Sequence, residues 1–180
     1  MMGGRVGLRS APGQGSEFWA EIELPLADAA GTPALAAAET SAGARLQGLR
    51  VLVVDDSPMN LEVACRILSL EQAQVQVAAN GQEAVDVLLA DPDACDAVLM
   101  DVQMPVLDGL DATRRIRSAL GLTGLPIIGL TAGVSQAESQ RARRAGMNEV
   151  MGKPFDPAEL VRCLLRHARG AAMPAPSAES

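Results

Sequence analysis

The sequence is poor in aromatic residues and in two of the side chains that most often carry chemistry. Its 180 residues include two Phe, one Trp and no Tyr, yet 48% are hydrophobic, so the core must consist of aliphatic residues and alanine. The one histidine, His167, excludes metal sites built from several histidines and most histidine-based catalysis. We expect it to be a surface or helix-end residue. Of the 15 basic residues only Lys153 is a lysine, which raises the question of what a compact ammonium does there that a planar guanidinium would not.

Further absences exclude whole classes of protein. The sequence has no run of 18 apolar residues, so no membrane helix is expected, and the first 25 residues lack the apolar stretch of a secretion signal. Cys65, Cys95 and Cys163 are widely spaced and form no CxxC pair, which predicts buried, reduced thiols and a cytoplasmic protein. The net charge of −7 argues against a nucleic-acid partner held by phosphate contacts.

Composition divides the chain into four parts. Residues 1–26 contain two strand patterns around a Gly- and Pro-rich turn, and such a hairpin is only marginally stable by itself. Residues 27–48 are rich in alanine and predict a linker. Residues 49–169 form the predicted folded block, and residues 170–180 predict a disordered tail.

Strand and helix signals alternate five times within the block 49–169. Residues 51–54, 97–100 and 127–130 are short apolar runs, as parallel strands buried on both faces require. Residues 74–77 and 149–151 are mixed in polarity, which predicts the two edge strands. The pattern predicts a flavodoxin-like α/β fold, a doubly wound five-stranded parallel sheet of order 2-1-3-4-5, with the N-terminal β-hairpin as an additional piece. Each predicted helix follows a capping residue: Ser57 (before Pro58), Asn80, Asp108, Ser135 and Asp156.

Five polar residues lie at or just after the carboxyl ends of four of these strands. Asp55 and Asp56 follow the first strand, Asp101 the third, Thr131 the fourth and Lys153 the fifth. Ligands bind at the carboxyl ends of such strands, and adjacent carboxylates favour a hard divalent cation such as Mg²⁺. With a lysine and a hydroxyl opposite, the set predicts a Mg²⁺-assisted phosphoryl site with the central carboxylate as nucleophile. Other aspartates have simpler interpretations: a helix cap for Asp108 and solvated loop charges for Asp91, Asp93 and Asp96.

The motifs around these residues resemble those of the receiver domain of two-component response regulators. They are Asp55-Asp56-Ser-Pro-Met-Asn, Asp101-Val-Gln-Met-Pro-Val-Leu-Asp-Gly, Leu-Thr131-Ala132 and Gly-Lys153-Pro154, and the resemblance covers about residues 49–169. It implies a phosphoacceptor rather than an enzyme, with Asp101 accepting the phosphoryl group from a histidine kinase or a histidine phosphotransfer protein. The implied roles are Mg²⁺ binding by Asp55, Asp56, Asp101 and the backbone carbonyl of Gln103, and phosphoryl binding and switching by Thr131, Ala132 and Lys153. The Lys153–Pro154 peptide is often cis in this family.

One position departs from the family pattern. Receivers often carry an aromatic residue three positions before the lysine, whereas this chain has Val150. Phosphorylation should not depend on that ring, but the usual aromatic readout is not expected. Signalling would then use the loop after Thr131 and the face of the fourth helix and fifth strand, or the domain would act as a relay station.

The N-terminal hairpin also resembles part of a known domain. The stretches Gly3-Gly4-Arg5 and Gly13-Gln14-Gly15-Ser16 are similar to the closing strands of a histidine-kinase ATP-binding domain. The resemblance implies the C-terminal remnant of a hybrid sensor histidine kinase. The Asn-bearing helix, the Asp-x-Gly loop and the phosphorylatable histidine of a kinase do not occur in this stretch.

Three other functions are left open by the residues themselves. An aspartate-nucleophile phosphatase of the dehalogenase type would place Asp-x-Asp after the first strand, where this chain has adjacent aspartates. A working histidine kinase would need the motifs just named. A flavodoxin-like flavin binder would need a Ser-, Thr- and Gly-rich loop after the first strand, where this chain has Asp-Asp-Ser-Pro.

Overall fold

A computed structural model describes residues 4–11, 15–22 and 44–168, which belong to two compact units, one within residues 1–40 and one within residues 41–180. In the first unit, β1 (Gly4–Ala11) pairs antiparallel with β2 (Gly15–Ile22), so the predicted hairpin is present. Trp19 lies opposite Gly7, and a Cβ added at Gly7 would lie 2.2 Å from the indole ring. The hairpin therefore needs glycine at this position to seat its tryptophan.

The described residues of the second unit, 44–168, form a five-stranded parallel sheet with five helices. The sheet order is β4-β3-β5-β6-β7, which is the predicted order 2-1-3-4-5. The predicted apolar and mixed strands are all present, each extended by one residue. The elements are β3 (Arg50–Val54), α1 (Pro58–Leu70), β4 (Gln74–Ala78), α2 (Gly81–Ala90), β5 (Ala97–Asp101), α3 (Gly109–Ser118), β6 (Ile127–Thr131), α4 (Gln136–Ala145), β7 (Glu149–Gly152) and α5 (Pro157–His167).

The core lies on both faces of this sheet. Every residue of β5 and β6 is buried, while β4 at the edge is mostly exposed, as its mixed polarity predicts. Buried residues of α1 and α5 pack on one face, and those of α2, α3 and α4 pack on the other. The central strands are thereby fixed from two sides, and the residues at their carboxyl ends are held rigidly.

Four of the five predicted caps form the expected side-chain bond. Asn80, Asp108, Ser135 and Asp156 each accept a hydrogen bond from the backbone N–H three residues later, which stabilises a helix start by about 1 kcal/mol. Ser57 makes no such bond, and α1 starts instead with Pro58 in its first turn.

The folded unit begins before residue 49, so the predicted linker 27–48 is wrong at its C-terminal end. Residues 45–48 form a turn in which Leu46 is 2% exposed and packs into the core on the sheet face that α1 and α5 cover. The Arg45 guanidinium pairs with Glu71, and Leu46 N–H donates to the Glu71 carbonyl. A single leucine in an alanine-rich stretch carries too weak a pattern to reveal this contact. The rest of the predicted linker falls in residues 23–43 and the predicted tail in residues 169–180, and both ranges lie outside the described residues.

The expectation that Asp96 is a solvated loop charge is also wrong. Its carboxylate accepts the backbone N–H of Arg50 at 2.9 Å and pairs with the Arg50 guanidinium at 2.8 Å. Asp91 and Asp93 are exposed, as predicted. Within the ranges that the structure describes, no helix is long and apolar enough to cross a membrane.

Candidate functional site

Three aspartates meet at the carboxyl ends of β3 and β5. Val54 and Met100 are register partners, so Asp55 and Asp101 follow side by side, and Asp56 comes next along the chain. Carboxylate oxygens of Asp55, Asp56 and Asp101 lie within 4.8 Å of one another. Asp55 is 1% exposed and Asp101 6% exposed, whereas Asp56 faces solvent. The sequence prediction that these three converge is what the structure shows.

Lys153 bridges the two buried carboxylates. Its Nζ lies 2.5 Å from Asp55 Oδ2 and 2.8 Å from Asp101 Oδ2. The backbone N–H of Lys153 donates to the Thr131 carbonyl at 2.6 Å, which fixes the end of β7 to the end of β6. The Lys153–Pro154 peptide bond is cis. The one lysine of the sequence is therefore the cation of this site.

The second oxygen of each buried carboxylate accepts hydrogen bonds from residues that follow it closely in the sequence, and these bonds orient the carboxylate. Asp55 Oδ1 accepts the Ser57 N–H at 2.9 Å and the Asn60 Nδ2 at 2.9 Å. Asp101 Oδ1 accepts the Gln103 N–H at 3.1 Å. Asn60 has no role in the sequence prediction. An Asn in the first turn of the helix that follows an acidic pair is the sequence signal that could have identified it.

Gly109 is a further residue whose role only the structure shows. A Cβ added there would lie 2.0 Å from the Asp101 carbonyl oxygen, because the loop after β5 returns over the end of its own strand. The Gly109 N–H donates to the Val102 carbonyl at 3.1 Å and closes this loop. The position of Asp101 thus depends on a residue without a side chain eight positions later.

Burial and hydrogen bonding shift the pKa values of Asp101 and Lys153 in opposite directions. Burial raises the pKa of Asp101 above its ordinary value, although the hydrogen bonds from Lys153 and Gln103 lower it. Burial lowers the pKa of Lys153, but hydrogen bonds to Asp101 and Asp55 outweigh that effect and raise it. Lys153 therefore stays an ammonium.

The cluster fits a hard divalent cation. Three carboxylates against one ammonium leave two negative charges, and oxygen donors with one solvent-facing side are what Mg²⁺ prefers. Besides this cluster, the described segments bring one more set of metal-ligating side chains together, Glu149, Cys163 and His167. His167 is the last residue of α5, as its predicted helix-end position requires.

The other predicted residues lie around this centre. Thr131 ends β6 and is buried, and its hydroxyl donates to the Gly133 carbonyl at 3.1 Å, so it is held by its own loop. Ala132 is exposed beside it, and Gln103 is exposed after β5. Val150 is half-buried and packs against the core on the α2–α4 side of the sheet. Within the part of the chain that the structure describes, the Thr131 hydroxyl bonds to Gly133 and not to the three carboxylates.

Large apolar side chains on the rim of the site face solvent. Met59, after β3, is exposed, and so is Val134, after β6. Val106, in the loop after β5, is 84% exposed and has a φ of +69°, a left-handed conformation that is unusual for a β-branched residue. All three residues follow strands whose carboxyl ends lie at the edge of the sheet that carries the aspartates.

Known proteins match the sequence of this chain over most of its length but over only a small part of their own. The chain is 36% identical to the virulence sensor protein BvgS of Bordetella bronchiseptica, over 98% of this chain and 15% of that protein. The chain thus spans about 15% of the length of such curated relatives.

Solved structures show the same fold. The receiver domain of a sensor histidine kinase from Pseudomonas aeruginosa PAO1 is 41% identical, with a TM-score of 0.60 over 67% of this chain and 97% of that one, and it holds a magnesium ion in its active-site cleft. The co-crystal structure of the Saccharomyces cerevisiae histidine phosphotransfer protein Ypd1 and the Ssk1 receiver domain matches at 28% identity and a TM-score of 0.61, over 67% and 88% of the two chains.

The match to the family model covers the parallel sheet and the helices around it. That model describes the response regulator receiver domain, and it matches residues 51–165, from β3 to α5. The chain belongs to the response regulator receiver family.

Proposed function

We propose that the chain is a phosphorelay receiver in which Asp101 accepts a phosphoryl group from a phosphohistidine on a partner protein. The observation that carries this proposal is the contact of Lys153 Nζ with both Asp55 and Asp101, beside an exposed third carboxylate on Asp56. An ammonium between two buried carboxylates is already at the place where negative charge develops during transfer.

The transfer makes one bond and breaks one. A carboxylate oxygen of Asp101 bonds to phosphorus while the phosphorus–nitrogen bond of the donor breaks, and the leaving imidazole keeps the electron pair and takes up a proton. Lys153 neutralises the phosphoryl oxygens. Mg²⁺, held by Asp55, Asp56, Asp101 and the Gln103 carbonyl, would supply further charge stabilisation.

The switch is proposed to start at Thr131. Its hydroxyl is bonded to the Gly133 carbonyl in the described state and would leave that bond to reach a phosphoryl oxygen. The loop that follows, with Ala132 and the exposed Val134, then changes its conformation. Val150 has no ring to report this change, so we place the output on that loop and on the α4 and β7 surface.

The donor is proposed to be a histidine kinase or a histidine phosphotransfer protein. Support comes from the solved complex of a similar receiver with a phosphotransfer protein. The exposed side chains of Met59, Val106 and Val134 around the aspartates give such a partner an apolar contact surface. We further propose that residues 1–26 are the remnant of a kinase ATP-binding domain, so that the parent is a hybrid sensor kinase.

The phosphatase alternative has no observation in its favour. Its Asp-x-Asp arrangement after the first strand is not present, and the family match is to receivers.

A direct test is phosphorylation of the full chain by acetyl phosphate, followed by intact mass and phosphate-affinity gels. We expect the wild type to gain one phosphoryl group with Mg²⁺ and none after chelation by EDTA. Asp101→Asn should gain none, while Asp93→Asn, which changes an exposed loop aspartate in the same way, should behave like the wild type. Equal labelling of Asp101→Asn and the wild type would overturn the proposal.

A further inference from the structure

A second cluster of metal-ligating side chains lies at the end of β7 opposite to Lys153. Glu149 is the first residue of β7, while Cys163 and His167 lie four residues apart on α5 and thus share one helix face. One sulfur, one imidazole nitrogen and one carboxylate oxygen of these residues lie within 4.8 Å of one another. The cluster includes the one histidine of the chain and one of its three cysteines.

The contacts within the cluster leave one side open to solvent. His167 Nε2 lies 2.6 Å from Glu149 Oε2, and Arg166 Nη2 lies 2.8 and 3.0 Å from the two carboxylate oxygens. The side chains of His167 and Glu149 are 29% and 33% exposed, while Cys163 is fully buried behind them. An ion can therefore enter from the imidazole and carboxylate side and meet the thiol last.

We propose that Glu149, Cys163 and His167 form a binding site for a divalent transition-metal ion of the zinc type, with the fourth position left to water. Thiolate, imidazole and carboxylate are the ligand types that zinc takes in proteins, and three protein ligands with an open fourth position are a recurrent set. Mg²⁺ prefers oxygen donors, so the aspartate cluster and this one select different ions.

The geometry requires a small adjustment. Bonds of about 2.0–2.3 Å in a tetrahedral array place neighbouring ligand atoms roughly 3.3–3.6 Å apart. The 2.6 Å contact between His167 and Glu149 must therefore widen by less than about 1 Å, and His167 can move because it is the last residue of α5. The ion also takes over the charge-balancing role of Arg166, whose exposed pair with Glu149 is weak.

Binding must release a proton. Burial, with the nearby Glu149 carboxylate adding to it and Arg166 opposing it, raises the pKa of the Cys163 thiol to about 12. The free site therefore holds a thiol, and the ion replaces its proton, which goes to solvent.

The test is titration of the full chain with Co²⁺ and then Zn²⁺, with Mg²⁺ in excess. We expect one equivalent of Co²⁺ to produce a thiolate-to-cobalt charge-transfer band, which Zn²⁺ removes, and proton release on binding. Cys163→Ala should abolish the band, and His167→Gln should weaken binding by at least about tenfold. Cys65→Ala, a thiol outside the cluster, should bind like the wild type.

Each result decides the proposal. A wild type without a thiolate band, or a Cys163→Ala variant that keeps the band, overturns it. Asp56→Asn should retain the band, because the aspartate cluster holds no sulfur, and loss of the band in that variant also counts against it. Far-ultraviolet circular dichroism checks that each variant is folded. If a variant is not folded, the presence or absence of the thiolate band in the wild type still decides the proposal.

Discussion

Replacement of Gly109 by alanine tests how the acidic centre is held in place. The added Cβ would lie 2.0 Å from the Asp101 carbonyl oxygen, 2.9 Å from Met100 Cγ and 3.0 Å from the Asp101 carbonyl carbon. A Cβ needs at least about 3 Å from such atoms, so the backbone of Asp101 must retreat by about 1 Å. No flexible side chain can absorb this shift, because the nearest atom belongs to the last residue of a buried strand.

The energetic cost follows from that rigidity. Overpacking of this kind costs typically about 1–3 kcal/mol, and we expect about 3 kcal/mol because β5 is buried at every position. A displacement of about 1 Å also disrupts the 2.8 Å contact between Lys153 Nζ and Asp101 Oδ2. Gly109→Ala should therefore lose both stability and phosphorylation by acetyl phosphate.

Urea unfolding at neutral pH, read by circular dichroism, measures the first effect, and initial phosphorylation rates measure the second. Gly133→Ala is the matched control, because its Cβ would meet only Glu138 Oε2 at 3.8 Å. It should unfold within about 0.5 kcal/mol of the wild type. A Gly109→Ala protein as stable as the Gly133→Ala protein would refute the argument that the loop closes on Asp101.

Three further predictions concern single contacts. Lys153→Met should retain Mg²⁺ binding but lower the phosphorylation rate of Asp101 by at least about tenfold, measured with acetyl phosphate, because the ammonium no longer neutralises phosphoryl oxygens. Glu71→Gln should destabilise the fold by about 1 kcal/mol at neutral pH. The hydrogen bond from Arg45 lowers the pKa of Glu71 from its ordinary 4.5. The stability difference between the wild type and Glu71→Gln should therefore be complete above about pH 4.5 and should vanish as the pH falls through the lowered pKa, as measured by urea unfolding. Val106→Asn should stabilise by about 1 kcal/mol in the same assay, since Asn tolerates a φ of +69° better than a β-branched residue, and an unchanged midpoint would contradict that.

The sequence predicts the fold well where burial and polarity differ clearly between neighbouring segments. The wholly apolar segments 97–100 and 127–130 predict central strands, and the alternating segment 74–77 predicts an edge strand. Together these predictions decide the strand order that the structure shows. Caps such as Ser135 with Glu138 are local signals, and the structure shows the complete capping box. The convergence of Asp55, Asp101 and Lys153 follows from the same topology, because it depends only on which strands are neighbours.

Contacts between residues distant in sequence were not predictable in this way. Nothing local distinguishes Asp96, which pairs with Arg50, from the exposed Asp93. The close approach of Gly109 to Asp101 depends on how tightly a loop folds back, which a residue pattern does not specify. The Thr131 hydroxyl bonds to the Gly133 carbonyl because of the conformation of the loop after β6, which a residue pattern does not specify.

The turn before β3 changes where the receiver must be cut. A shortened protein that starts at residue 49 would lack Leu46, leaving a cavity in the core on the α1 and α5 face of the sheet that costs about 2–5 kcal/mol. It would also leave the buried Glu71 carboxylate without Arg45 and its backbone carbonyl without the Leu46 N–H. The chain that enters β3 is therefore fixed first at Glu71, the C-cap of α1, so a shortened receiver should keep both Arg45 and Leu46.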